Sequence, residues 1–189
     1  MKHKQSISTK RIVMVALMAA LTVAGSALRI TLPVDIAGTT SFHLGNIMCA
    51  LSGILLGPWL GGLAAGLGSA LYDLTNPLYI SECWITFLTK GAYGLVAGGI
   101  AWFGNRNWGY RKATIATIAG ALTYAALYLL KSFFYSGILI KGLTPEASAL
   151  ALVSKIPATT FNAVVAIIFA PILAIAIRNA LAKNHLSLD

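Results

Sequence analysis

Six apolar stretches, separated by short segments that hold nearly all of the charge, leave this chain few ways to fold in water. They run over roughly residues 10–28, 43–56, 59–74, 83–103, 113–135 and 155–178. A helix needs about 20 apolar residues to cross the ~30 Å hydrocarbon layer of a bilayer. Four of the stretches reach about that length, and the second and third are shorter. Hydrophobic residues make up 58% of the 189, and charged residues only 10%, whereas a soluble domain carries about a quarter charged residues. A soluble fold of this size has too little interior to hide so much apolar surface, so lipid must act as the solvent. The expectation is an all-α integral membrane bundle of six transmembrane helices, forming one domain over residues 1–189.

The breaks between stretches carry their own signals. Gly57-Pro58 divides what would otherwise be one overlong run, because proline disfavours helix at the residue before it. Two short helices joined by a tight turn are expected there. Arg29–Phe42, Asp73–Glu82 and Gly104–Lys112 read as connections. Ser136–Ser154, with Gly142, Pro145 and Glu146, reads as a longer one. The first stretch follows Lys2, Lys4, Lys10 and Arg11 in the manner of a signal peptide. Its apolar part, Ile12–Leu28, is nonetheless long enough to span at about 17 residues, so a retained first helix is expected.

The net charge of +9 does not point to nucleic acid, because no basic run interleaved with aromatics lies on a polar face. The basic residues instead sit between the apolar stretches. With both termini in the cytoplasm, nine of the fourteen Lys and Arg fall inside, among them Arg106, Arg111, Lys112, Arg178 and Lys183. Asp35, Asp73, Glu82 and Glu146 then fall outside. This asymmetry is the positive-inside pattern.

Catalytic signatures are missing. No HExxH, GxSxG or phosphate-binding loop occurs, and the chain therefore has no means of using ATP by itself. His3, His43 and His185 are too scattered for a metal site, and no cofactor is expected. Cys49 and Cys83 lack metal-like spacing and read as two small unpaired hydrophobes.

Two charges interrupt the apolar helices. Lys90 lies about two turns into the fourth, and Lys131 about one turn from the outer end of the fifth. A charge at membrane midplane costs roughly 2.5–3.5 kcal/mol and tends to face a cavity or a partner. With Asn162 in the sixth helix, the two lysines fall in one layer roughly 8–11 Å below the outer surface at 1.5 Å per residue. Tyr128 shares the face of Lys131. Each has a plainer reading as well: Lys131 snorkels to the headgroups, and Asn162 makes an interhelical hydrogen bond. Aromatics gather on the same side, including Phe42, Tyr72, Tyr79, Trp84 and Tyr135. They serve either as an interfacial belt or as stacking surfaces for a planar ligand. His43 and Asn46 add hydrogen-bonding groups from the start of the second helix.

Small residues recur at four-residue spacing in Gly62-Gly66-Ala70, Gly94-Gly98 and Ala16-Ala20-Ala24. Such stripes let helix backbones approach closely in lipid. Internal packing accounts for the first two. The alanine stripe on the first helix fits either internal packing or contact with another protein.

Taken together, Phe42-His43-Leu44-Gly45-Asn46, Leu55-Leu56-Gly57-Pro58, Ala64-Ala65-Gly66-Leu67-Gly68-Ser69-Ala70 with Tyr72-Asp73, and Thr89-Lys90-Gly91 resemble the S component of energy-coupling factor vitamin transporters. The resemblance covers helices one to four, and the rest by length and topology. It implies six helices with both termini cytoplasmic, and capture of a small vitamin on the outer side. It also implies docking on a transmembrane coupling subunit that works with two ATPase subunits, which bind the ATP. Ala16, Ala20 and Ala24 resemble the family's docking motif. The implied pocket, formed by the outer loops and the outer halves of helices four to six, matches the positions of Lys90, Lys131, Tyr128 and Asn162. Thr89-Lys90-Gly91 also occurs in members with different substrates, which leaves Lys90 open as a structural residue.

Two cations favour a carboxylate or phenolate, and the aromatics favour a flat ring. A pyridoxine-like or hydroxymethylpyrimidine-like ring is the expectation, with pantothenate next. No stacked aromatic set clearly sized for riboflavin or folate stands out in the sequence. An autonomous small-solute permease or channel, using the same pocket without partners, is the competing reading.

Overall fold

A computed structural model describes residues 8–32, 40–104 and 107–184. Lys2, Lys4, Asp35 and Arg106 of the charge pattern fall outside these segments, as do His3 and His185.

Helix α1 (Thr9–Ala27) is capped by Ser8, whose side chain accepts the Arg11 N–H; such a cap satisfies one of the open donors at a helix start. Met18, Ala19, Thr22, Gly25 and Ser26 form its buried face, packed against α2 (Gly45–Thr75). The opposite face presents Val13, Leu17 and Leu21 outward. Ala16, Ala20 and Ala24 belong to this exposed side.

The connection after α1 is more ordered than a loop. Strands β1 (Arg29–Leu32) and β2 (Thr40–His43) pair antiparallel, with Arg29 opposite His43 and Leu32 opposite Thr40. This hairpin caps an otherwise all-α bundle at one end.

The Gly57-Pro58 break is real. Gly57 has φ 80° inside the α2 run, a left-handed value that glycine adopts without steric cost. A Cβ there would also lie 2.7 Å from the Trp102 ring. The chain then doubles back: Cys49 Sγ lies 3.6 Å from Ser69 Oγ, whereas twenty residues of straight helix would separate them by about 30 Å. The first arm, with Cys49, Ala50, Leu51 and Ile54, is the most deeply buried part of the molecule. Both cysteines are free thiols.

Helix α3 (Cys83–Trp102) follows a 3₁₀ turn over Ile80–Glu82 and packs closely on both arms of α2. A Cβ on Gly53 would sit 2.3 Å from the Gly94 carbonyl oxygen, and one on Gly94 would sit 2.8 Å from that of Gly61. The glycine stripes thus serve internal packing, where dispersion between close backbones replaces the missing hydrophobic drive.

The last third departs from the sequence expectation. Helix α4 (Tyr110–Lys131) does not end near Tyr135; it continues as a π-helix over Ser132–Ile140. A four-residue turn with Gly142 at φ 62° follows. Helix α5 (Pro145–Lys183) starts at once, with Thr144 accepting the Ala147 N–H and Pro145 in the first turn. The expected long connection over Ser136–Ser154 is therefore mostly helix. Its Gly, Pro and Glu are the marks of a helix start rather than of a loop: proline's fixed φ suits the first turn, and an acidic group suits the positive end of the helix dipole.

Among the described residues, four helical stretches are long and apolar enough to cross a membrane: Thr9–Ala27, Gly45–Thr75, Tyr110–Ile140 and Pro145–Lys183. The second of these is the folded-back pair.

Candidate functional site

Beneath the β-hairpin lies a cavity of about 280 Å³, walled by both strands, both ends of the α2–α3 connection, the α4–π segment and α5. Charged, polar and aromatic side chains line it, and each wall contributes a different device.

Asn162, on α5, holds the hairpin down. Its Oδ1 accepts the His43 backbone N–H at 2.9 Å and its Nδ2 donates to the Ser41 carbonyl at 2.8 Å. One amide side chain thereby replaces the neighbouring strand that β2 lacks on that edge. Ser41 Oγ lies 3.1 Å from the Tyr79 hydroxyl, a second tie from hairpin to rim. Arg29 makes a third. Its guanidinium lies over the rings of Tyr72 and Tyr79, at 4.1 and 4.8 Å from the centroids, while Nε donates to the Ser26 carbonyl.

His43 turns its Nδ1 to the Gly45 N–H at 3.2 Å. Burial, followed by the positive charges of Lys90 and Arg29, holds its pKa well below the ordinary imidazole value. The ring is therefore neutral at pH 7, as an Nδ1 acceptor must be.

Lys90 is buried at the cavity floor. Its ammonium group donates to Asn46 Oδ1 and lies 3.8 Å from the centroid of the Tyr124 ring. Asn46 thus supports Lys90 from outside the cavity lining. Tyr124 stacks on Tyr93 below it and Tyr128 above it, with centroids 6.0 and 5.8 Å apart.

Lys131 does not reach for the headgroups. It forms an ion pair with Glu82, whose other oxygen accepts from Ser136 Oγ at 2.9 Å. Five residues along an α-helix amount to about 1.4 turns, which would point Lys131 and Ser136 apart. The π-helical segment, bonded i to i+5, brings residues at that spacing onto one face. The rare helix form thus has a local consequence: it lets one carboxylate tie down two groups.

Of the residues singled out from the sequence, Lys90, Lys131, Tyr128, Asn162 and His43 line the cavity together. Asn46 stands directly behind Lys90. Trp84 lies apart from the lining, half-exposed, with its ring edge-on to Tyr135 at 5.8 Å. Sequence reasoning missed Arg29, Asp73, Glu82, Tyr124 and Lys155, all of which line the cavity. Tyr124 had a readable signal, four residues before Tyr128 on one helix face. Lys155 was hidden by the misplaced start of α5. With the cap at Thr144 it falls roughly 15 Å inside that helix, where it is buried with its ammonium 5.5 Å from the Tyr128 ring centroid.

Such a cavity can hold a small polar molecule by cations, amides and aromatic faces. Comparison with known proteins agrees with a binding role. A protein of Pyrococcus woesei, described as an uncharacterized protein in a gap 3′ region, is 31% identical over 118 residues, which cover 62% of this chain and 74% of that one. Residues 6–179 match the family described as the ECF-type riboflavin transporter, S component. The chain is a membrane-embedded, substrate-binding subunit of an ECF transporter, and it belongs to the ECF-type riboflavin transporter S component family.

Proposed function

We propose that the chain spans the membrane six times with both termini in the cytoplasm, captures a riboflavin-type heteroaromatic vitamin in the cavity under the β-hairpin, and delivers it inward after docking on the coupling subunit. The family's description carries riboflavin, and nothing in the match favours the pyridoxine-like, hydroxymethylpyrimidine-like or pantothenate ligands weighed from the sequence. The observation that carries the reading is the cavity itself: a polar, aromatic-walled site at one end of an apolar bundle. The Tyr93–Tyr124–Tyr128 series supplies stacked rings that the sequence alone did not reveal, and two of the three face the cavity. A flat ring system gains from such faces. Lys90, Lys131, Tyr128, Asn162, His43 and Asn46 are proposed to build or brace the site.

Docking is assigned to Ala16, Ala20 and Ala24, a reading supported by their exposure on the side of α1 that turns away from the bundle. A smooth alanine surface lets a second helix approach closely, and one arginine there would block it. We expect Ala20→Arg to keep flavin binding by the purified protein, while abolishing both co-purification with the ATPase-containing module and cellular uptake. Retention of the module by the Ala20→Arg protein would refute the assignment.

A further inference from the structure

The cavity has two kinds of wall. Helix α4 supplies the rings of Tyr124 and Tyr128, stacked with centroids 5.8 Å apart. Helices α2 and α3 supply small polar groups instead. Ser69 and Asp73 lie four residues apart on the second arm of α2, and Thr86 and Thr89 lie three apart on α3. Both spacings put the pair on one helix face.

This second wall is suited to accepting hydrogen bonds. Thr89 Oγ1 donates to the Thr86 carbonyl at 3.3 Å, so its lone pairs are what it offers a ligand. Asp73 is buried at 7% exposure on the last turns of α2 and lines the cavity. The Thr86 side chain hydrogen-bonds to its carboxylate, and a carboxylate has room for about four such bonds. A donor on the ligand would meet an acceptor strengthened by its shielding from water. Beside the tyrosines the chemistry is reversed: the Lys90 ammonium, 3.8 Å from the Tyr124 centroid, is a donor.

A riboflavin-type ligand divides in the same way. Its ring is flat and edged by carbonyl oxygens, and its ribityl chain is a run of hydroxyls. Resting on the flavin-type reading above, we propose that Asp73 is a specificity-determining residue whose carboxylate accepts from adjacent hydroxyls of the ribityl chain. The tyrosine wall then holds the ring, and the α2–α3 wall selects a ligand that carries a polyol.

The test titrates the purified full chain, by flavin fluorescence, with riboflavin and with lumiflavin, which has the same ring and a methyl group in place of the ribityl chain. The wild type should bind riboflavin at least about tenfold more tightly. Asp73→Asn, nearly the same in shape, should weaken riboflavin binding at least about tenfold and leave lumiflavin binding unchanged. Thr86→Val, which frees the carboxylate, should weaken riboflavin alone by a smaller factor, and it carries the comparison if the asparagine variant fails to fold. Equal affinity of the wild type for the two flavins, or an equal loss of both in the folded variant, would overturn the assignment and leave the flavin-type reading standing. Binding of neither flavin to the wild type would overturn both.

Discussion

Lys131 and Glu82 show how one residue's role depends on what the chain places opposite it. Read from the sequence, Lys131 had two fates, the headgroups or the cavity. The structure gives it a carboxylate from the turn before α3, with the two side chains only 11% and 21% exposed. A pair this shielded exceeds the ~0–1 kcal/mol of surface pairs, because removing one partner leaves the other charge poorly solvated. We expect Lys131→Met and Glu82→Gln each to weaken ligand binding about tenfold. The double variant should lose about 1 kcal/mol less than the sum of the two; additivity in calorimetric titrations would show that the pair does not act as a unit. The depth of Lys131, Lys90 and Asn162 was legible because charges and amides stand out in apolar helices. Glu82 was not legible as a partner, since the Lys131–Glu82 contact joins residues 49 positions apart. In the sequence Asp73 reads as an outer-side charge beside Tyr72 in the family-like motif, and Arg29 as the start of a connection, because a charge at a helix end looks the same whether it faces water or a cavity.

At the level of elements, the sequence was most informative where a backbone rule was strict. Gly57-Pro58 announced the fold-back of α2, and the glycine stripes announced its intimate packing on α3. Gly94→Val should therefore be costly: the added groups meet the Gly61 carbonyl at a distance that even a Cβ violates, and overpacking typically costs about 1–3 kcal/mol. A lowered melting temperature in detergent, with Gly99→Ala close to wild type because open space surrounds it, is the expected outcome. Equal melting of the Gly94→Val protein would contradict the close approach. The β-hairpin and the π-helix left no comparable trace. The hairpin is two four-residue strands too short for a pattern, and it owes its form to Asn162 and Arg29. The π segment has no sequence signature at all, although it is what brings Lys131 and Ser136 to one carboxylate.

For the molecule as a whole, the division of labour between this chain and its partners is the functional question. The family is a transporter binding component. Expressed in cells lacking the energising module, it should show saturable flavin binding at the membrane and no accumulation of flavin inside. Accumulation from the chain alone would instead favour an autonomous permease. The way the hairpin is fastened also has a consequence for synthesis. The amide that fastens β2 belongs to residue 162, whereas the backbone groups it grips belong to residues 41 and 43. The last of the hairpin's ties is therefore completed late in synthesis, because Asn162 follows His43 by 119 positions. A chain that stops before residue 162 keeps the hairpin's ties to Tyr72 and Tyr79 but lacks the amide that grips β2.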